Sequence, residues 1–221
     1  MDVKSLATDP RLSATKSQLK QDLFVLAELE LKRGGFFVEF GATNGVDINN
    51  TWLMEKQFGW TGILAEPSRH WHADLLKNRN CAIETRCVWT TTGDTVVFNE
   101  VNTVGASYGP ELSTIDQFSK VDNHARAREH GQKYEVETIS LVDLLKKYNA
   151  PQQIDYLSID TEGSEFDILS HFDFDLYDIK IITCEHNYTP MREKIFDLLT
   201  SKGYVRKFES ISQWDDWYVK A

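Results

Sequence analysis

The sequence contains few cysteines, and their arrangement supports neither a disulfide framework nor a structural zinc site. The 221 residues include three, which are Cys81, Cys87 and Cys184. Their number is odd and no C-x-x-C spacing occurs, whereas disulfide-rich domains use even sets and zinc sites use closely spaced pairs. We therefore expect the thiols to be reduced.

Long apolar runs are absent as well. No stretch approaches the roughly 20 apolar residues that a membrane-spanning helix requires. The first residues, Met1–Ser5, lack the apolar core of a signal peptide. These absences predict a cytoplasmic protein without a membrane partner.

Positive charge is scarce. The chain has 24 Lys and Arg against 34 Asp and Glu, a formal net charge of −10, and a sequence pI of about 5.1. An acidic surface repels phosphate backbones, so we expect no nucleic-acid partner and favour a compact neutral or cationic small molecule. The length predicts a single domain over residues 1–221 and leaves the oligomeric state open.

Short apolar runs alternate with helical periodicity along the chain. A helix is predicted over about residues 15–33, with Gly34 and Gly35 as its stop. The predicted strands are Phe36–Phe40, Thr61–Ala65, Cys81–Trp89, Thr95–Phe98, Tyr134–Ile139, Ile154–Ile159 and Lys180–Cys184. Two final runs, Tyr204–Phe208 and Trp214–Val219, have no helix between them, which predicts a hairpin. The pattern is typical of a doubly wound, Rossmann-like α/β domain whose mostly parallel sheet ends in an antiparallel β-hairpin.

The segment over about residues 100–133 interrupts this alternation. It is rich in Gly, Ser, Asn and His, and no period holds for long. A stretch of this length in a compact domain is usually a functional loop, a lid or partly disordered. We predict a substrate-side insertion, with a plain surface excursion as the alternative.

The strongest local motif is Glu39-Phe40-Gly41-Ala42-Thr43-Asn44-Gly45, directly after the first predicted strand. Gly41 and Gly45 allow a tight turn and a close approach of the backbone to a ligand. Glu39 is placed to hold a cationic amino group, and it would repel a nucleotide pyrophosphate. S-adenosylmethionine carries both an ammonium and a sulfonium, so the motif favours this cofactor.

A second acid, Glu66, ends the next predicted strand. An acid about 20 residues past the turn accepts hydrogen bonds from ribose hydroxyls in nucleotide-binding sheets. Stabilising the N-terminus of the following helix is the alternative role. NAD is the less favoured cofactor, because Thr43 stands where the G-x-G-x-x-G fingerprint has its middle glycine.

Five segments in order resemble the FkbM family of methyltransferases, and together they extend over nearly the whole chain. They are Ser17–Asp22, Phe36–Lys56, Gly59–Trp71, Asp155–Leu169 and Cys184–Asn187. The resemblance implies a class I methyltransferase fold and S-adenosylmethionine as cofactor. It also implies methylation of a hydroxyl oxygen on a sugar or natural-product acceptor. The chain departs from many methyltransferases at Thr43, where they have glycine.

The resemblance also implies roles for individual residues. The amino-acid end of the cofactor would be lined by the motif residues Glu39, Gly41, Ala42, Thr43, Asn44 and Gly45, with Asn50 and Thr51 shaping the same pocket. Glu66 would hold the ribose, and Pro67 would fix the turn. Cys87 and Val88 would form walls for adenine. Gln21 and Asp22 would fold over the pocket from the N-terminal helix.

Two polar groups are candidates for the chemistry, and both follow predicted strands. One is Asp160 and Glu162, and the other is Glu185, His186 and Asn187. Ligands bind at the carboxyl ends of strands in open α/β sheets, so we expect the two groups to converge there.

Three interpretations of these groups stay open. His186 or Asp160 would act as a general base oriented by a neighbouring carboxylate. Alternatively, Asp160, Glu185 and Asn187 would hold a divalent cation such as magnesium. In the third interpretation, Asp160 and Glu162 only cap the following helix.

The function predicted from the sequence is therefore an S-adenosylmethionine-dependent O-methyltransferase acting on a small-molecule or carbohydrate hydroxyl. The alternatives are an NAD-dependent oxidoreductase on a Rossmann sheet and a non-catalytic S-adenosylmethionine-binding protein.

Overall fold

A computed structural model describes residues 9–101 and 109–221 of the chain. Within these residues the strands are β1 Phe36–Phe40, β2 Thr61–Ala65, β3 Ala82–Glu84, β4 Cys87–Trp89, β5 Thr95–Glu100, β6 Thr114–Ile115, β7 Gln132–Ser140, β8 Gln153–Ile159, β9 Asp178–Glu185, β10 Tyr204–Lys207 and β11 Asp215–Lys220. The α-helices are α1 Gln21–Glu28, α2 Trp52–Phe58, α3 His72–Asn78, α4 Ala125–Arg128, α5 Leu141–Lys147, α6 Glu165–Ser170 and α7 Met191–Ser201. None of these helices is long and apolar enough to cross a lipid bilayer.

The main sheet has seven strands in the order β10-β11-β9-β8-β1-β2-β3. All neighbouring pairs from β9 to β3 are parallel, and β11 runs antiparallel to both β9 and β10. The sheet is thus mostly parallel and ends in an antiparallel hairpin, which confirms the predicted fold class. The strand order reverses between β1 and β8, and the carboxyl ends of these strands form the crevice in which such sheets bind ligands.

The central strands are buried on both faces, which explains why their sequences are apolar runs without strict alternation. Successive residues of β1 point to opposite faces. Phe37 accordingly packs in the cluster that contains α1 and α2, whereas Val38 packs in the cluster that contains α5 and α7. Glu39 shares the Phe37 side of the sheet and is the one acid within this strand.

The first helix is shorter than predicted, and it spans Gln21–Glu28 within the expected residues 15–33. Before it, the Ser17 hydroxyl accepts a hydrogen bond from the Gln21 backbone N–H at 2.9 Å, so a side chain replaces a helical backbone bond. After it, Glu30 and Leu31 adopt positive φ values of 51° and 57°. The helix therefore ends at Glu28, before this left-handed pair and six residues before Gly34.

A second sheet, in the order β4-β7-β5-β6, was not predicted. Its long ladder joins β5 to β7 in antiparallel register, from Thr95 opposite Glu137 to Glu100 opposite Gln132. The predicted insertion over 100–133 is therefore the connection of this hairpin. Within its described residues it contains β6, α4 and two short 3₁₀ helices, whereas residues 102–108 lie outside the described part of the chain. Pairing across so long a connection leaves no local sequence signal.

Candidate active site

A cavity of about 430 Å³ opens at the carboxyl edge of the main sheet. The ends of β1, β2, β8 and β9 form one side of it, and the second sheet with its connection forms the other. Twelve residues predicted from the sequence line the cavity, namely Glu39, Gly41, Thr43, Asn50, Glu66, Pro67, Cys87, Val88, Asp160, Glu162, Glu185 and Asn187. The structure thus brings together side chains from four strand ends.

Seven predicted residues do not line the cavity. They are Gln21, Asp22, Ala42, Asn44, Gly45, Thr51 and His186. The Asn44 side chain accepts bonds from the backbone N–H groups of Val46 and Asp47, at 2.9 Å each, and so shapes its own turn. Gln21 Nε2 donates to Asp215 at 2.8 Å. Gln18, which the sequence reasoning missed, is the lining residue of this N-terminal segment.

The turn after β1 depends on backbone conformations that favour glycine. Gly41 has a φ of +74°, and an added Cβ would lie 2.0 Å from the carbonyl oxygen of Asp160. The ends of β1 and β8 are therefore in direct contact through this residue. Thr43 adopts a φ of +50°, so the residue that departs from the methyltransferase pattern still has the left-handed conformation that glycine adopts easily.

A buried arginine that the sequence reasoning missed, Arg79, holds this turn from behind. It donates to the Asn49 side chain at 2.7 Å, to the Gly45 carbonyl at 3.2 Å and to the Thr51 hydroxyl at 3.0 Å. It also forms an ion pair with Glu55 at 2.7 Å. No motif signalled this role, because Arg79 directly follows α3 and is remote in sequence from the turn.

Glu39 binds the segment that follows the turn. Its carboxylate accepts from the Asn50 backbone N–H at 2.8 Å and from the Thr51 hydroxyl at 2.5 Å. Burial raises the pKa of Glu39, while the charge of Arg79 acts in the opposite direction. The carboxylate therefore orients the wall of the cavity, a role that the prediction of a direct ligand contact did not include.

Glu66 lies at the end of β2, and each of its carboxylate oxygens accepts one backbone bond. Oε2 accepts from Thr43 N–H at 2.9 Å, and Oε1 accepts from Ser68 N–H at 2.8 Å. Each oxygen keeps a further lone pair for a ligand. Burial raises the pKa of Glu66 to about 8.

Next to Glu66 the cavity becomes apolar. Cys87, Val88 and Phe98 are buried, and Trp71 also lines the cavity. Burial raises the pKa of the Cys87 thiol to about 12, so it remains protonated and is a wall rather than a nucleophile. A flat heteroaromatic ring suits such a surface.

The two predicted polar groups converge at the ends of β8 and β9. One carboxylate oxygen each from Asp160, Glu162 and Glu185 can be chosen so that all three lie within 4.8 Å of one another. Burial raises the pKa of Asp160 to about 7, opposed by a hydrogen bond with Glu185. Burial and the nearby Asp160 charge raise the pKa of Glu185, whose Oε2 is buried without a hydrogen-bond partner.

Glu162 differs from the other two acids because it is already paired. Its Oε2 lies 2.7 Å from Nη2 of Arg128 and accepts from the Asn187 side chain at 3.1 Å. Arg128 is fully buried and also bonds Asp122 at 2.8 Å and the Leu112 carbonyl at 2.7 Å. Glu162 therefore anchors the connection of the second sheet to the edge of the main sheet.

His186 does not reach the cavity. Its Nδ1 accepts from the Tyr188 backbone N–H at 3.0 Å, and its Nε2 lies 3.8 Å from a carboxylate oxygen of Asp216, which does not line the cavity. Burial lowers the pKa of His186 to about 4. Of the two bases that the sequence suggested, Asp160 lies at the site and His186 does not.

Comparison with known proteins finds a matching family model and solved structures that are similar to this chain. The family model described as the methyltransferase FkbM domain matches residues 39–206. No curated protein sequence matches the chain. In structure, the chain is similar to a precorrin-6y C5,15-methyltransferase from Geobacter metallireducens GS-15, with 13% identity, a TM-score of 0.44, and 99% of this chain and 94% of that chain covered. It is also similar to a methyltransferase from Pyrococcus furiosus, with 13% identity, a TM-score of 0.41, and coverages of 92% and 82%.

Removing Arg128 tests whether Arg128 and Glu162 form an ion pair that stabilises the fold. We expect Arg128→Met to lower the free energy of unfolding by about 3–5 kcal/mol, because it leaves buried carboxylates unpaired. Adding Glu162→Gln should recover part of that loss, since the amide carries no charge. Urea unfolding followed by tryptophan fluorescence measures both changes.

The matched control is Lys133→Met, which removes the exposed pair with Asp116 and should cost at most about 1 kcal/mol. Fully additive losses in the double variant would show that Arg128 and Glu162 do not interact.

Proposed function

Because this chain belongs to the FkbM family of S-adenosylmethionine-dependent methyltransferases, we propose that it methylates a hydroxyl oxygen of a small-molecule or carbohydrate acceptor. The observation that carries this proposal is the charge of the cavity. Its lining contains the acids Glu39, Glu66, Glu111, Asp160, Glu162 and Glu185, and no lysine or arginine among the described residues. An acidic cavity favours a cationic cofactor and opposes a pyrophosphate.

The residues present fit the cofactor. Glu66 has free lone pairs for two ribose hydroxyls, and the apolar surface of Val88, Phe98 and Trp71 suits adenine. The turn at Gly41 and Thr43, with Asn50 and Gln18, forms the wall for the amino-acid end. When bound, S-adenosylmethionine would supply a methyl group that an oxygen nucleophile can take from the positively charged sulfur, which leaves as a neutral thioether.

The acceptor side is formed by residues of mixed character. Tyr188 is 63% exposed at the cavity, and Trp214 lines it nearby. Ser113 and Asn123 contribute polar groups from the connection of the second sheet. Flat aromatic rings can cover the apolar face of a sugar ring, while hydroxyl and amide groups bond its hydroxyls. This combination supports a polyhydroxylated acceptor.

Asp160 is the proposed general base. It lies in the cavity, and its pKa of about 7 allows proton transfer at neutral pH. In this mechanism the acceptor hydroxyl passes its proton to a carboxylate oxygen of Asp160, and the hydroxyl oxygen thereby becomes the nucleophile. Glu185 lies in the same carboxylate cluster and favours the ionised form of Asp160, so it helps to keep Asp160 ready to accept the proton.

Titration with S-adenosylhomocysteine tests the cofactor site. We expect micromolar binding by the wild-type protein in calorimetry, and a loss of about 100-fold or more in Glu66→Ala, because two hydrogen bonds to a charged group are removed. Glu66→Gln retains the side-chain volume. Comparing it with Glu66→Ala therefore separates the effect of the lost charge from the effect of the space that alanine leaves empty.

The control variant is Glu111→Ala, which removes another lining acid and should keep the affinity within about twofold of the wild type. If the folded wild-type protein, free of co-purified cofactor, does not bind, the methyltransferase assignment of this cavity is wrong. Binding without methyl transfer to any acceptor would favour the non-catalytic alternative.

We further propose that Asp160 and Glu185 can hold a divalent cation such as magnesium or manganese. Glu185 has a buried Oε2 without a hydrogen-bond partner, and it belongs to a cluster of carboxylates whose hard oxygen atoms are the ligands that these ions prefer. Glu162 is the third acid of this cluster, but its Oε2 is already paired with Arg128 and accepts from the Asn187 amide.

Manganese binding provides the test. We expect one Mn²⁺ per chain in electron paramagnetic resonance titration, lost in Glu185→Gln and Asp160→Asn and retained in Glu111→Gln. If the wild-type protein binds no Mn²⁺, Asp160 acts as a base without a metal.

A further inference from the structure

The second sheet reaches the loop that carries Glu66. Glu100, the last residue of β5, accepts three hydrogen bonds on one carboxylate oxygen. The donors are the Ser68 hydroxyl at 2.9 Å, the His70 backbone N–H at 3.2 Å and the Tyr134 hydroxyl at 2.6 Å. Two of these donors belong to the loop between β2 and α3, so Glu100 ties that loop to the second sheet.

Ser68 connects this tie to the ligand-binding carboxylate. Its hydroxyl donates to Glu100, while its backbone N–H donates to Glu66 Oε1 at 2.8 Å. Both Ser68 and Glu66 are buried, which shields these two bonds from bulk water. The positions of Glu100 and Glu66 are therefore coupled through a single residue.

The pairing of β5 with β7 places the supporting groups on one face. Phe98 lies opposite Tyr134, and Glu100 follows Phe98 by two residues on the same side of the strand. Phe98 lines the apolar part of the cavity while Glu100 holds the loop beside it. Arg69 stacks its guanidinium 4.1 Å from the centre of the Tyr134 ring and holds the exposed side of the loop.

We propose that Glu100 is a positioning residue for the ribose of the cofactor, acting through Ser68 on the Glu66 carboxylate. The inference rests on the proposed function, in which Glu66 accepts hydrogen bonds from the ribose hydroxyls. It assigns to the second sheet a part in selecting the nucleoside. Without Glu100, the loop would keep its contact with Thr43 but lose the bond that fixes Ser68.

The test compares S-adenosylhomocysteine with its 2′-deoxy analogue by calorimetry. The wild-type protein should prefer the ribose form by about tenfold or more, as one hydrogen bond to a carboxylate allows. Glu100→Ala should reduce this preference to about two- to threefold. Glu100→Gln should retain most of it, because its side-chain oxygen can still accept from Ser68 although the charge is lost.

One control separates positioning from general loosening. Val97→Ala changes an exposed residue of the same strand and should keep the wild-type preference.

The inference is overturned if Glu100→Ala keeps the full preference, or if it weakens both ligands equally. It is also overturned if the wild-type protein binds both ligands equally, since Glu66 would then not select the ribose. Failure of the wild-type protein to bind S-adenosylhomocysteine at all would instead contradict the proposed function.

Discussion

The constraint on which this structure depends is a set of buried carboxylates that face a cavity without a lysine or arginine among its described lining residues. Burying ionised acids costs free energy unless a cation or a proton compensates them. Glu66, Asp160 and Glu185 have raised pKa values, so in the free protein protons provide part of that compensation. A cationic ligand provides it more completely, and the family to which the chain belongs uses such a ligand.

The rest of the molecule holds these acids in place from behind. Arg79 fixes the turn after β1, and Arg128 pairs with Glu162, yet neither arginine lines the cavity. Their charges therefore support the walls without occupying the binding space. The result is a division of roles in which Glu39 and Glu162 maintain the architecture, while Glu66 and Asp160 keep free oxygen atoms for ligands.

The sequence predicted most of the main sheet, because its buried strands are apolar runs with clear stops. Phe36–Phe40 and Thr61–Ala65 coincide with β1 and β2 in the structure. It also predicted the carboxyl-edge acids, since strand ends in a parallel sheet meet at one edge. It did not predict Arg79, Arg128 or Glu100, whose roles depend on pairing between segments distant in the chain. His186 was misplaced because a position after a strand does not determine to which side of the loop the ring turns.

Proton release on cofactor binding tests the central claim most directly. Calorimetry at pH 7, in buffers of different ionisation enthalpy, measures how many protons leave the protein when S-adenosylmethionine or S-adenosylhomocysteine binds. The charge of the sulfonium favours ionised carboxylates, so we expect the sulfonium compound to release more protons than its neutral-sulfur product. Equal release for both ligands, or none for either, would contradict the account in which the cofactor replaces protons on the buried acids.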